Sequence, residues 1–240
     1  MKELASQGYQ VIRDVLSSSD IASMRLAITE TIDRVAKAMR APFAASFPEA
    51  AFEDRLDSIA RHDRAYALAL FRAVMADAQR DPRIDALARH PGLTAVISDL
   101  LAPLRRTGQV IRTRAVMPAF SSARHRWHQD VVRPSDDGAA CGSVRLACWI
   151  PLSDVDEYSG SLELIPGAWR ESLPHASDSE GRFFVADEQL SAGGRRPIPL
   201  RCGDALILDR FMPHRSLPLH HSRTRWAVAM WVKAVSPKPD

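Results

Sequence analysis

Three side chains suit metal chemistry by type and spacing: His128, Asp130 and His214. In His128-Gln129-Asp130 the histidine and the aspartate are alternate residues, and alternate residues of an extended segment project to the same side. The two can therefore converge on one ion. His214 follows much later, in the run PHRS beyond an expected strand, and supplies a second imidazole. Two imidazoles and one carboxylate on one face of an octahedral ion leave three positions open, the arrangement that lets iron(II) take a co-substrate and dioxygen. Both histidines must be neutral to bind it. An HxD pair alone is weak, since the chain has eight histidines. His125 either lines the same site or caps a strand. His62, His90, His220 and His221 read as surface or loop residues, and His175 falls in a loop with no partner that the sequence indicates.

Arg225 adds weight. It opens an apolar run, RWAVAMWV, and an unpaired buried guanidinium is costly. It needs an anion: either an acidic residue of the chain or a ligand carboxylate, which a planar guanidinium grips with two parallel hydrogen bonds. Ser216 can donate a hydroxyl to the same carboxylate. Upstream, Arg112 and Arg114 share a face of an expected strand. They are either solvated edge residues or cations for an anionic or zwitterionic substrate, with Gln129 a further substrate candidate.

The elements that must position these residues divide near residue 105. Before it the pattern is helical, after a short strand over 9–16. Ser17-Ser18-Ser19-Asp20 supplies N-cap oxygens, and Ile21, Met24, Ile28, Ile32, Val35 and Met39 recur at helical spacing. Further helical stretches are expected over 54–79, around 83–89 and over 93–101. After residue 105 come short apolar runs separated by turns, at 110–116, 144–152, 161–165, 205–208 and 225–232, the pattern of an antiparallel sandwich or barrel. The Ser-, Asp- and Gly-rich stretch 174–199 is expected to form a long surface loop or lid. One domain is expected over 1–240, with 1–104 as helical support and 105–235 as the β core.

Composition excludes little but is consistent. Net charge is +3 and the charged fraction 25%, with basic residues scattered rather than gathered into the dense face of a nucleic-acid binder. No apolar run is long enough to span a bilayer, and the first residues lack a secretory pattern, so a cytoplasmic protein acting on a small molecule is expected. The three cysteines, Cys141, Cys148 and Cys202, form no CxxC pair and read as reduced thiols. There is no HExxH for a zinc hydrolase, no G-x-S-x-G elbow and no glycine-rich phosphate loop. A sandwich that binds metal or ligand without catalysis is the other reading.

Taken together, the segments GYQVIRDVLSSSDIASMR, RHRWHQD, RLACWIPLSDVDEYSGSLELIPGAW and CGDALILDRFMPHRSLPLHHSRTRWAV resemble the phytanoyl-CoA dioxygenase family of 2-oxoglutarate oxygenases. The resemblance covers most of the chain. It implies a mainly β double-stranded β-helix, or jelly roll, with an N-terminal helical layer, and iron(II), 2-oxoglutarate and dioxygen as cofactor and co-substrates. Carried over, His128, Asp130 and His214 become the metal ligands, and Arg225 and Ser216 hold the far carboxylate of 2-oxoglutarate. Trp149 either walls the pocket near the co-substrate or packs in the core. Ala168-Trp169 departs from the Ser-His usual after the Pro-Gly turn. In related halogenases a small residue stands at the position of Asp130, so the resemblance favours hydroxylation or another oxidative outcome over halogenation.

Overall fold

The computed structural model describes residues 2–123, 126–131, 144–179, 181–191 and 193–236. The chain begins with α1 (Lys2–Gln7), β1 (Tyr9–Ile12) and α2 (Ser18–Ala38). Helix α2 starts at a capping box: the Ser17 hydroxyl accepts from the Asp20 amide while the Asp20 carboxylate accepts from the Ser17 amide. The strand is shorter than expected, because residues 13–16 turn away and the Leu16 amide bonds to the Gly203 carbonyl.

The stretch 54–79 is two helices, α3 (Arg55–His62) and α4 (Arg64–Asp77), rather than one continuous pattern. Asp63 is extended and caps α4 by accepting from the Tyr66 amide, so one residue ends the first helix and starts the second. Next, α5 (Pro82–Asp85) passes into a 3₁₀ turn over Ala86–Arg89, and α6 (Pro91–Leu101) completes the helical layer.

The strands follow: β2 (Arg105–Val116), β3 (Val144–Pro151), β4 (Leu162–Leu164), β5 (Ala176–Ser177), β6 (Phe183–Phe184), β7 (Arg196–Ile198), β8 (Ala205–Asp209), β9 (His214–Ser216) and β10 (Arg225–Val235). They pair antiparallel in a major sheet of order β1-β8-β3-β10-β2, a minor sheet of order β7-β4-β9, and a β5–β6 hairpin. The stretch 174–199 is thus more structured than a loop. Its last strand contains Pro197, and it survives because it lies at the edge of the minor sheet, where a missing amide donor costs nothing.

Why the major-sheet strands read as continuous apolar runs is plain from their two faces. Trp226, Val228, Met230 and Val232 of β10 pack with Cys148 and Ile150 of β3 against the helical layer. The alternate residues Ala227 and Ala229, with Ala147, Trp149, Leu206 and Leu208, face the minor sheet through Leu162 and Leu164. One face is a dry core against helices. The other walls the interior of the double-stranded β-helix. Burial pushes the Cys148 thiol up to about 12, so it packs as a small apolar group; Cys202 is half-buried, and Cys141 lies outside the described residues.

Candidate metal centre and its pocket

Backbone pairing brings the two histidines together. His128 and His214 form an antiparallel bridge in which each amide donates to the other's carbonyl, at 3.0 and 2.9 Å. Directly paired residues put their side chains on one side of the ladder, and the imidazole centroids are 4.2 Å apart. Asp130 returns to the same side, with Oδ2 3.6 Å from His214 Nε2. One ligand atom from each of the three lies within 4.8 Å of the others, close enough to share one ion.

The ring nitrogens are assigned by what surrounds them. His128 Nδ1 sits 2.7 Å from the Arg126 carbonyl and His214 Nδ1 2.9 Å from the Met212 carbonyl. A carbonyl can only accept, so each Nδ1 carries the proton and each Nε2 offers its lone pair. Burial, reinforced by His214, brings the His128 pKa down to about 4, which keeps the ring neutral. Both properties fit a divalent metal ion.

The HxD segment is braced from behind. Gln129, expected among substrate residues, points the other way: its side chain donates to the Glu171 and Phe211 carbonyls and accepts from the Leu173 amide. The alternation that aligns His128 with Asp130 sends the residue between them to the opposite side. His175, for which the sequence indicates no partner, accepts from the Gln129 amide through Nε2 at 3.1 Å. The Val185 amide donates to the Trp127 carbonyl, and the Arg126 guanidinium lies over the Phe184 ring. The stretch expected as a lid thus grips the ligand-bearing segment. His125 lies outside the described residues.

In front of the three ligands is a pocket lined by Arg114, Trp149, Leu162, Ser216, Arg225 and Trp231 among others. Arg225 is 3% exposed. Its Nη2 donates to the Ser216 hydroxyl at 2.9 Å, Nε is buried without a partner, and the guanidinium lies 5.2 Å from the Trp149 ring centre. No acidic side chain among the described residues pairs with it, so the alternative of an internal ion pair is not realised. Burial, and then the Arg114 charge, lowers its pKa to about 10, which leaves it cationic at neutral pH. The residue before it is fixed by helix α3 and the turn ahead of it: Thr224 donates to Asp57 at 2.6 Å through its hydroxyl and to the Glu53 carbonyl through its amide. Arg112 and Arg114 diverge. Arg112 is exposed, with Nη1 on the Ile111 carbonyl, whereas Arg114 reaches into the pocket.

A three-residue centre beside a buried, acid-free arginine is a pattern that can be compared with known proteins. The model of the phytanoyl-CoA dioxygenase (PhyH) family matches residues 4–227. The chain belongs to this family. Its members are iron(II), 2-oxoglutarate-dependent oxygenases, and the His-Asp-His arrangement of the family's metal site is present in this chain.

Solved structures share the family fold. The non-haem monooxygenase ThoJ superposes with a TM-score of 0.61 at 20% identity, over 97% of this chain and 76% of that one. EvdO2 from Micromonospora carbonacea var. aurantiaca, in complex with 2-oxoglutarate, gives 0.59 at 20% identity, over 99% and 91%. SnoK, an α-ketoglutarate-dependent carbocyclase from nogalamycin biosynthesis, gives 0.55 at 18% identity, over 97% and 82%. No curated protein matches the sequence. Among the described residues no helix is long and apolar enough to cross a membrane.

The departure at Ala168-Trp169 has a local counterpart. Gly8, at φ +78°, lies so close to the Trp169 indole that a Cβ there would come within 2.3 Å of Cγ. Both the left-handed backbone and the ring therefore demand glycine at position 8.

Proposed function

We propose that this chain is an iron(II)- and 2-oxoglutarate-dependent dioxygenase that hydroxylates an unactivated C–H bond of a small metabolite, working as one oxygenase domain over residues 1–240. The observation that carries the reading is Arg225. A buried guanidinium with an unpartnered Nε, one serine and no carboxylate is a site built for a carboxylate brought from outside. A module that merely stored a metal ion has no use for it.

His128, Asp130 and His214 would hold iron(II), and Arg225 with Ser216 would hold the distal carboxylate of 2-oxoglutarate. With iron(II) bound, 2-oxoglutarate and dioxygen supply the oxidation: one oxygen atom enters succinate as carbon dioxide leaves, and the other enters the substrate C–H bond. The chain's own residues do the positioning. The carbonyls of Arg126 and Met212 keep both Nδ1 atoms protonated and both Nε2 atoms aimed into the site. Trp149 walls the pocket and keeps water from the guanidinium. Asp130 supplies the carboxylate ligand that related halogenases replace with a small residue, which favours oxidation of the substrate over halogenation. ThoJ and SnoK, described as a monooxygenase and a carbocyclase, share this fold, so the outcome depends on where the substrate's C–H bond is held.

Anaerobic titration of the metal-free protein with iron(II) and 2-oxoglutarate tests the reading. A weak metal-to-ligand charge-transfer band in the visible spectrum is expected, absent in His128→Ala and weakened in Arg225→Met. A folded protein that gives no band overturns the assignment.

A further inference from the structure

We infer that the primary substrate is a monocarboxylate held by Arg114 against Trp231; this rests on the oxygenase reading and names its substrate class. The argument begins with strand register. On β2, Arg114 stands opposite Ala227 of β10, whereas Val116 stands opposite Arg225. Side chains on one face of a strand recur about every 7 Å. Arg114 is therefore one such step from the level of Arg225. Its guanidinium lies 5.1 Å from the Trp231 ring centre, and Trp231 faces Val110, two further steps along. The side chain thus leans away from Arg225, along the pocket wall toward the partly exposed Trp231.

Arg114 makes no hydrogen bond or close ion pair with any described residue, although the Asp130 charge acts on it, and it lines the cavity that the three metal ligands share. Two arginines that brace this fold, by contrast, are paired with acidic side chains. Arg215 donates to Glu163 at 2.7 Å, and Arg55 is bonded to Asp33 and to the Ser46 carbonyl. The cavity that Arg114 lines is also walled by Trp149, Trp231 and the small side chains of Ala147 and Ala229. Arg112, exposed and bonded to its own strand, is not needed.

Charge decides the class. Among the described residues, the acidic and arginine side chains lining the pocket are Asp130, Arg114 and Arg225, a sum of +1 with both histidines neutral. Iron(II) and doubly ionised 2-oxoglutarate cancel each other, so +1 remains. One carboxylate neutralises it, gripped by the planar guanidinium, whereas a phosphate monoester would leave excess negative charge in a poorly solvated site.

The test uses the full chain, oxygen-free, loaded with iron(II) and 2-oxoglutarate, and a panel of small monocarboxylates each paired with its primary amide. Binding is read from the shift of the charge-transfer band and, independently, from the unfolding temperature. Acids should bind at least about tenfold more tightly than their amides. Arg114→Met should erase that preference, leave amide binding and 2-oxoglutarate affinity within about threefold, and Arg114→Lys should restore part of it. Three results overturn the proposal: amides binding as well as acids, no acid binding at high millimolar concentration, or Arg114→Met weakening 2-oxoglutarate as much as the acids, which would assign the arginine to the co-substrate. Loss of the band in the unsubstituted protein would instead sink the oxygenase reading, and the unfolding arm would still report whether acids bind through Arg114.

Discussion

Arg55 and Arg225 are buried alike, at 2% and 3% exposure, yet their surroundings differ in kind. Arg55 lies in the helical layer. Its Nε donates to the Ser46 carbonyl at 2.8 Å, Nη1 reaches the Thr29 carbonyl, and Nη2 pairs with Asp33. Every part of that guanidinium ties helix α3 to α2 and the turn between them. Arg225 sits on the interior face of β10 with one serine for company and an unpartnered Nε. Burial of a cation is equally costly in both places. In the helical layer the fold supplies the compensating groups, and in the pocket it withholds them. The first is a structural clamp, and the second, on the proposed function, has its compensation supplied by an incoming carboxylate.

The sharpest way to break that contrast is to remove each headgroup in turn. Arg225→Met should weaken 2-oxoglutarate binding by about a hundredfold or more, since truncating one partner of a buried charge pair costs about 2–5 kcal/mol. In the ligand-free protein the same change removes an uncompensated charge, so stability should hold or rise by about 1–2 kcal/mol in urea melts. Arg55→Met should do the opposite. Loss of its bonds to Asp33 and two carbonyls should cost about 3 kcal/mol of stability, while the folded fraction binds 2-oxoglutarate as before. If Arg225→Met destabilised the free protein as much as Arg55→Met, the pocket arginine would be structural after all.

Gln129 sharpens the comparison at the metal. Gln129→Ala removes three hydrogen bonds to backbone groups at Glu171, Leu173 and Phe211 without touching the pocket. Iron(II) affinity should fall by about 10–100-fold, as for other residues that orient metal ligands, with the 2-oxoglutarate site proposed at Arg225 otherwise intact. This residue also shows where the sequence was legible. The convergence of His128, Asp130 and His214 is legible from residue type and spacing, and the structure brings Arg225 and Ser216 into contact beside them. Alternation, applied one residue further, would have turned Gln129 away from the pocket. His175 was not readable, since its partner is an amide far along the chain. Arg112 and Arg114 share a face, opposite Ala229 and Ala227, and the spacing does not tell that the Arg112 side chain folds onto the Ile111 carbonyl while Arg114 lines the pocket. The break at Asp63 was hidden because an apolar period persists across it, although aspartate is a good N-cap. The strand holding Pro197 was hidden by its proline, which an edge tolerates.

The smallest effect belongs wholly to the helical layer and should leave the pocket silent. The Asp20 carboxylate closes the capping box of α2 and lies 3.5 Å from His90 Nε2. The Ser17 hydroxyl holds its pKa below the usual carboxylate value, outweighing a modest opposing effect of burial, with help from the Ser17 amide and His90. A carboxyl group whose pKa is lower folded than unfolded contributes stability that is full above the unfolded value and disappears as pH falls through the folded one. Asp20→Asn should therefore cost about 0.5–1 kcal/mol near pH 7 and progressively less on acidification below about pH 4. Because the cap is exposed, added salt should shrink the difference. Affinities for iron(II) and 2-oxoglutarate should match the parent protein throughout. A change in either would mean that the entry of α2 is coupled to the pocket, and that the helical layer does more than support the sheet.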